Sequence, residues 1–133
     1  MIRVAINGYG RIGRIAHRVI LEKHANEIDV VAINASSSTD VKGWSYLLKY
    51  DTSYGPLQNH EISSDNENLI IDGKEIPVIS QRDPSQLPWK DLNVDVVIES
   101  TGRFTDEEGL KAHLDAGARA VVLSAPAKSE GIP

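Results

Sequence analysis

Three glycines, Gly8, Gly10 and Gly13, stand in the run Ile6-Asn7-Gly8-Tyr9-Gly10-Arg11-Ile12-Gly13, and their spacing is that of a phosphate-holding turn. At the first position glycine lets the backbone leave a strand sharply. At the second it opens the main chain to a pyrophosphate, and at the third it lets a helix lie close on a sheet. A helix that begins at such a turn has amide N–H groups without intrahelical acceptors, and its dipole favours negative charge at that end. The chemistry implied is recognition of a dinucleotide. The same pattern also occurs in ordinary loops, so the flanking elements carry the argument.

A strand is needed before the turn and a helix after it. Ile2, Val4 and Ile6 form a short β-prone stretch, and Ile12, Ile15, Ala16, Val19 and Ile20 recur at helical spacing as one apolar stripe, with fraying expected near Ala25-Asn26. Asp29 to Asn34 is a continuous apolar run suited to a parallel strand buried on both faces, the second strand of a right-handed β-α-β unit. A polar turn from Ala35 to Asp40 follows, with Thr39 or Asp40 as the N-cap of a helix carrying Val41, Trp44, Leu47 and Leu48. Gly43 weakens that helix, and Tyr54-Gly55-Pro56 closes it off. From His60 to Ile79 short strands are expected, and Leu69 to Ile76 reads as a hairpin about Asp72-Gly73.

Val94 to Glu99 is the next strand, with Ser100-Thr101-Gly102 at its carboxyl end. Thr105-Asp106-Glu107-Glu108 is a capping-box pattern that opens a helix through Leu110 and Leu114, which Gly117 ends. Ala120 to Leu123 is a last strand running into Ser124-Ala125-Pro126, and residues 127 to 133 read as an unstructured end. This alternation predicts an α/β fold, a Rossmann-type doubly wound parallel sheet with a small antiparallel β insertion, over residues 1–133 as one domain. Ligands bind such sheets beyond the carboxyl ends of the strands, where strand order reverses. The turns Gly8 to Gly13, Asn34 to Ser38, Ser100 to Gly102 and Ser124 to Pro126 converge on that edge.

Composition narrows the function classes. A chain of 133 residues suits a single core, and a net charge of −5 without a basic stripe speaks against nucleic acid as a partner. The absence of cysteine removes disulfides, thiolate metal sites and a cysteine nucleophile. The N-terminus enters a strand directly and no long apolar run follows, so neither a signal peptide nor a membrane span is expected, and the cytoplasm is the default location. His17, His24, His60 and His113 fit no metal-ligand spacing and read as surface or partly buried residues, His24 with an electrostatic role at a helix C-terminus. Asp106, Glu107 and Glu108 read as helix-start charges, Trp44 and Trp89 as packing residues, and Arg11 as a phosphate contact.

The end of the second strand carries information about the cofactor. A site that prefers NAD places Asp or Glu there, roughly 20 residues beyond the glycines, to hold the ribose hydroxyls. Here the position is Ala35, and the nearest acid, Asp40, serves as a helix cap. A carboxylate about 4 Å from a 2′-phosphate charge would cost about 1 kcal/mol in water and about 4 kcal/mol at an effective dielectric of about 20. Its absence relaxes discrimination against NADP, while Ser36, Ser37, Ser38 and Thr39 offer donors to a phosphate. NADP preference or dual use is therefore expected, although no arginine lies in the turn. The competing reading is a turn that simply accommodates small residues.

Several segments together resemble the phosphorylating glyceraldehyde-3-phosphate dehydrogenases. They are Val4 to Arg14, Leu47 to Thr52, Arg82-Asp83-Pro84 with Leu87-Pro88-Trp89, Glu99 to Gly102, His113 to Ala118, and Leu123 to Pro126. The resemblance implies that Asn7, Arg11 and Ile12 line the pyrophosphate and nearby ribose, that Asn34 and Arg82 flank the adenosine end, that Thr101 and Gly102 run beneath the cofactor, and that Ser124 approaches the nicotinamide. Ser100, Ala35 and Ser36 complete the expected contacts. Tyr9 stands where many members carry Phe, and Ala35 where NAD-using members carry Asp, the pattern of NADP-using members.

The family reaction, part of glycolysis and gluconeogenesis, oxidises an aldehyde to an acyl phosphate through a cysteine thiolate and a histidine base. The resemblance covers an amino-terminal half that stops before the family's catalytic segment. No residue of this chain is therefore expected to be catalytic, and the chain alone should bind cofactor without turnover. The complete enzyme is expected to be a homotetramer, and the strand near Val121-Val122 is expected to leave an edge through which the fragment associates. An erythrose-4-phosphate-type dehydrogenase shares this cofactor half, and a non-catalytic nucleotide-binding module is the alternative from another class.

Overall fold

The computed structural model describes residues 1–36, 39–51, 55–56, 60–81, 83, 86–101 and 107–123. In chain order the elements are β1 (Ile2–Asn7), α1 (Arg11–Lys23), β2 (Ile28–Asn34), α2 (Val41–Lys49), β3 (Tyr50–Asp51), β4 (Gly55–Pro56), β5 (Ile62–Ser64), β6 (Asn68–Ile71), β7 (Lys74–Ile79), β8 (Val96–Glu99), α3 (Glu107–Asp115) and β9 (Ala120–Leu123). A seven-stranded sheet runs in the order β5-β6-β7-β2-β1-β8-β9. The five strands from β7 to β9 are mutually parallel, and β5, β6 and β7 are joined antiparallel. The short β3 and β4 pair separately. Among the described residues no helix is long and apolar enough to cross a membrane.

The expected insertion is present, and its last strand does double duty. β7 closes the hairpin with β6 and also pairs parallel to β2 through Ile33 with Val78 and Asn34 with Ile79. Asp72 and Gly73 both have positive φ, as a two-residue hairpin turn of matching twist requires. The apolar run in β2 packs on both sides. Val30 and Ile33 join a core with Ile6, Tyr9, Trp44, Leu48 and Leu69, whereas Val31 and Ala32 join a second core with Ala5, Trp89, Val94 and Val97. Two consecutive residues share a face because the β1–β2 register slips between Val4 and Ala5, which leaves Val31 as a bulge.

Helix α1 departs from expectation in which residues it buries, whereas α2 packs the expected Val41, Trp44, Leu47 and Leu48. Ile20 of the expected α1 stripe is buried, but Ile12 and Val19 are 53% and 42% exposed, and the helix buries Gly13, His17 and Arg18 in their place. The reason is polar. The Arg18 guanidinium donates to the carbonyls of Leu48 and Lys49 at 2.9 Å each, satisfying the end of α2 and crossing its negative pole. Asp40 caps α2 as expected, its carboxylate accepting from the Gly43 amide at 2.8 Å, and the helix forms despite Gly43. His24 caps the C-terminus of α1. The capping box at Thr105 and Asp106 and the end from 124 to 133 lie outside the described residues.

His17 and His113, expected at or near the surface, are fully buried. His17 Nδ1 lies 2.7 Å from the Tyr9 hydroxyl, so the hydroxyl that a phenylalanine would lack has a partner. Burial, with smaller contributions from Lys74 and His60, lowers the His17 pKa from 6.5 to about 3. Between those values the unfolded chain binds a proton that the folded chain refuses, so stability rises with pH. From pH 6.5 down to 4.5, where glutamates begin to titrate, the unfolding free energy should fall by about 1.4 kcal/mol per pH unit on this account. His17→Gln should flatten that slope in urea titrations at a series of pH values; an unchanged slope would contradict it.

Candidate functional site

Strand order reverses at β1, whose neighbours β2 and β8 are reached by connections leaving in opposite directions. The turn after β1 is held by both neighbours. The Gly8 amide donates to the Asn34 carbonyl at 2.8 Å, the Ser100 amide donates to the Asn7 carbonyl at 2.8 Å, and the Ser100 hydroxyl lies 2.7 Å from the Gly8 carbonyl oxygen.

The three glycines have different reasons. Gly8 has φ +96°, and a Cβ there would lie 2.7 Å from the Thr101 nitrogen. A Cβ on Gly13 would lie 2.1 Å from the Gly8 carbonyl oxygen and 2.9 Å from Ser100 Oγ, so α1 lies as close to the turn as glycine permits. At Gly10 a Cβ would meet no described atom within 4 Å, and φ is an ordinary −70°. Gly10 is also the N-cap of α1, so it brings no side-chain acceptor, and the first turn carries no acid. The helix thus presents its positive end outward across an open main-chain surface.

Beneath this surface the last residues of three strands are joined by side chains. Asn7 is the register partner of both Asn34 and Glu99. Asn34 Nδ2 donates to Asn7 Oδ1 at 2.6 Å and to the Gln81 carbonyl at 2.7 Å, and the Gln81 amide donates back to Asn34 Oδ1 at 2.8 Å. Asn7 Nδ2 donates to Glu99 Oε1 at 2.6 Å, and His113 Nε2 lies 2.8 Å from the same oxygen. Glu99 Oε2 accepts from the Thr101 amide at 2.9 Å and the Thr101 hydroxyl at 2.7 Å. Burial pushes the Glu99 carboxyl up, but the bonds from His113, Thr101 and Asn7 outweigh it and hold it below the usual range, so it is an anion. His113 Nδ1 accepts from the Trp89 indole at 3.0 Å. Among the described residues no group of three or more His, Asp or Glu is arranged to hold a metal.

A family model described as the glyceraldehyde 3-phosphate dehydrogenase NAD-binding domain matches residues 2–107. The chain belongs to that family. It is 52% identical over 132 residues to the glyceraldehyde-3-phosphate dehydrogenase of Thermotoga maritima, covering 99% of this chain and 39% of that protein. It is 48% identical to glyceraldehyde-3-phosphate dehydrogenase 1 of Bacillus cereus, covering 99% of this chain and 38% of that protein. The Mycoplasma pneumoniae counterpart is 47% identical, with 98% and 37% covered. The chain therefore spans less than two-fifths of the length of these relatives.

In this NAD-binding domain, Gly8, Gly10, Arg11, Ile12, Gly13, Ser100 and Thr101 gather at the carboxyl edge of β1 and β8, and Asn34 ends β2 beside them, with Ala35 and Ser36 following it. Arg11, Ile12 and Ser36 are exposed, whereas the Asn7 and Asn34 side chains are buried in the row beneath. Ala35 is buried too, and its amide donates to the Ile79 carbonyl at 2.7 Å. Arg82, Gly102 and Ser124 lie outside the described residues.

Sequence reasoning assigned no role to Glu99, His113 or Trp89 in this row. The available signals were an acid closing an apolar parallel strand, and a histidine three residues after Leu110 on the inward side of α3. The steric contrast among the glycines is directly measurable. Gly13→Ala should lose about 2–3 kcal/mol of stability from overpacking, and Gly10→Ala should lose less than about 1 kcal/mol, the effect of a poorer N-cap. Denaturant melts of both variants test this, and equal losses would contradict it.

Proposed function

We propose that this chain is the nicotinamide-dinucleotide-binding part of an enzyme that oxidises a phosphorylated aldehyde to an acyl phosphate. The observation that carries this reading is Gly10. No described atom closes over Gly10, so the main chain at the positive end of α1 stays open to a group approaching from outside. The amides of Arg11 and Ile12 would receive the pyrophosphate, with the Arg11 guanidinium beside it. The Ala35 and Ser36 end of β2 would meet the adenosine ribose, and Thr101 would support the middle of the cofactor. When bound, the nicotinamide supplies a hydride acceptor. The cysteine nucleophile that the family's chemistry requires is not in this sequence, so the chain by itself binds without turnover.

The cofactor is NADP, or NADP and NAD alike. This rests on Ala35, which removes the carboxylate that would hold the ribose hydroxyls and repel a 2′-phosphate. The complete enzyme works in the cytoplasm as a homotetramer. The chain associates through β9, the last strand at one side of the sheet among the described residues, whose Val122 is 53% exposed.

Calorimetric titration of the chain with NADP and with NAD should give NADP binding at least as tight as NAD. Ala35→Asp should shift that ratio toward NAD by about tenfold or more. NAD binding tenfold tighter than NADP in the unaltered chain would overturn the preference, and uptake of neither would overturn the site. Gly10→Ala should weaken both nucleotides about tenfold. Sedimentation should show concentration-dependent association that Val122→Lys suppresses, and a strictly monomeric parent chain would exclude the edge contact.

A further inference from the structure

Hydrogen-bond donors and acceptors can be assigned along the buried row. Indole N–H only donates, so His113 Nδ1 is an acceptor and carries no proton. The ring is then the neutral tautomer with its proton on Nε2, directed at Glu99 Oε1. The 3.3 Å approach between Asn7 Nδ2 and His113 Nε2 is therefore that of two donors converging on one carboxylate oxygen, not a bond between them. All four side chains are at least 99% buried. The other carboxylate oxygen takes both the amide and the hydroxyl of Thr101. Glu99 is thus the common acceptor for a residue of the glycine-turn strand and for the turn after β8.

α3 holds the ring from the far side, and its own end is fastened. The Gly117 amide donates to the Leu114 carbonyl and the Ala118 amide to the His113 carbonyl, each at 3.1 Å. These two bonds are the paired closure of a helix ending in a left-handed glycine, here with φ +120°. The Lys90 amide donates to the Ala116 carbonyl at 3.0 Å, which clamps the turn bearing Trp89 to the same helix end. Trp89 and His113 are therefore fixed relative to each other by backbone as well as by side chain.

We propose that His113, oriented by Trp89, is a positioning residue for the nucleotide site: through Glu99 it sets the placement of Asn7 and Thr101 beneath the bound dinucleotide. The inference rests on the dinucleotide reading given above. His113 touches no cofactor; without its Nε2–H the buried carboxylate loses one of its donors and turns or takes up a proton, and either change releases Asn7 or Thr101.

The test uses the chain as it stands, titrated with NAD and NADP by calorimetry, with far-UV circular dichroism and melting to establish that each variant folds. Folded His113→Leu should bind about tenfold or more weakly, the loss of one hydrogen bond to a charged group. His113→Gln, whose amide returns a donor to Glu99, should recover most of that affinity. Trp89→Phe keeps the bulk and deletes only the indole donor, and it carries the test if His113→Leu does not fold. Nitrogen-15 spectra should show His113 as the Nε2–H tautomer in the parent chain and as a mixture of tautomers in Trp89→Phe, with weaker nucleotide binding alongside. Unchanged affinity in folded His113→Leu, or a mixed tautomer with unchanged affinity in Trp89→Phe, would overturn the positioning role alone. A parent chain that binds neither nucleotide would overturn the dinucleotide reading and this inference with it.

Discussion

A carboxylate sealed from water is tolerated only when donors surround it, and the need to satisfy Glu99 organises the carboxyl edge of the sheet. Among the described residues four donor groups meet it, drawn from β1, from α3 and from the turn following β8. Each brings an element with it. Asn7 brings the strand that leads into the glycine turn, and His113 brings α3 and the Trp89 turn. Thr101 brings the backbone against which Gly8 packs, where a Cβ would lie 2.7 Å from the Thr101 nitrogen. The open face at Gly10 is therefore the outer surface of a tightly determined interior. Site and support divide the labour, with exposed amides and Arg11 outside and a closed polar row inside.

Much of this was legible in the sequence. The glycine run, the apolar stretch of β2, the Asp40 cap and the Asp72-Gly73 turn depend on local stereochemistry, and local stereochemistry is written in neighbouring residues. Harder to read was whatever depends on partners distant in sequence. Nothing near Ile12 or Val19 marks them as exposed, because the burial of Arg18 is decided by carbonyls at Leu48 and Lys49. The bulge at Val31 follows from the register with β1 rather than from the composition of β2. His113 looks like a surface histidine until Glu99 and Trp89 are set beside it.

The glycines show how a motif divides into parts in the folded chain. Two of the three are demanded by the chain's own packing, and a fold of this kind would need them whatever it bound. Among the described residues nothing makes such a demand on the remaining one. A sequence pattern weighs all three alike, whereas the steric environment separates the residue left open from those that the fold itself requires. The same separation applies to Asn7 and Asn34, which the resemblance would set against a cofactor and whose side chains bond to each other, to Glu99 and to Gln81.

The pairing of β1 with β8 also bears on how the chain acquires its shape. Asn7 and Glu99 are 92 positions apart, so the strand made first during synthesis waits for one made much later, whereas the β6–β7 hairpin can close across two residues. Joining segments so far apart carries a large loop-closure entropy before any contact compensates it. The pairing of β1 with β8 consequently matures later than that of β1 with β2, and until it does the glycine turn lacks one of the two neighbours that hold it.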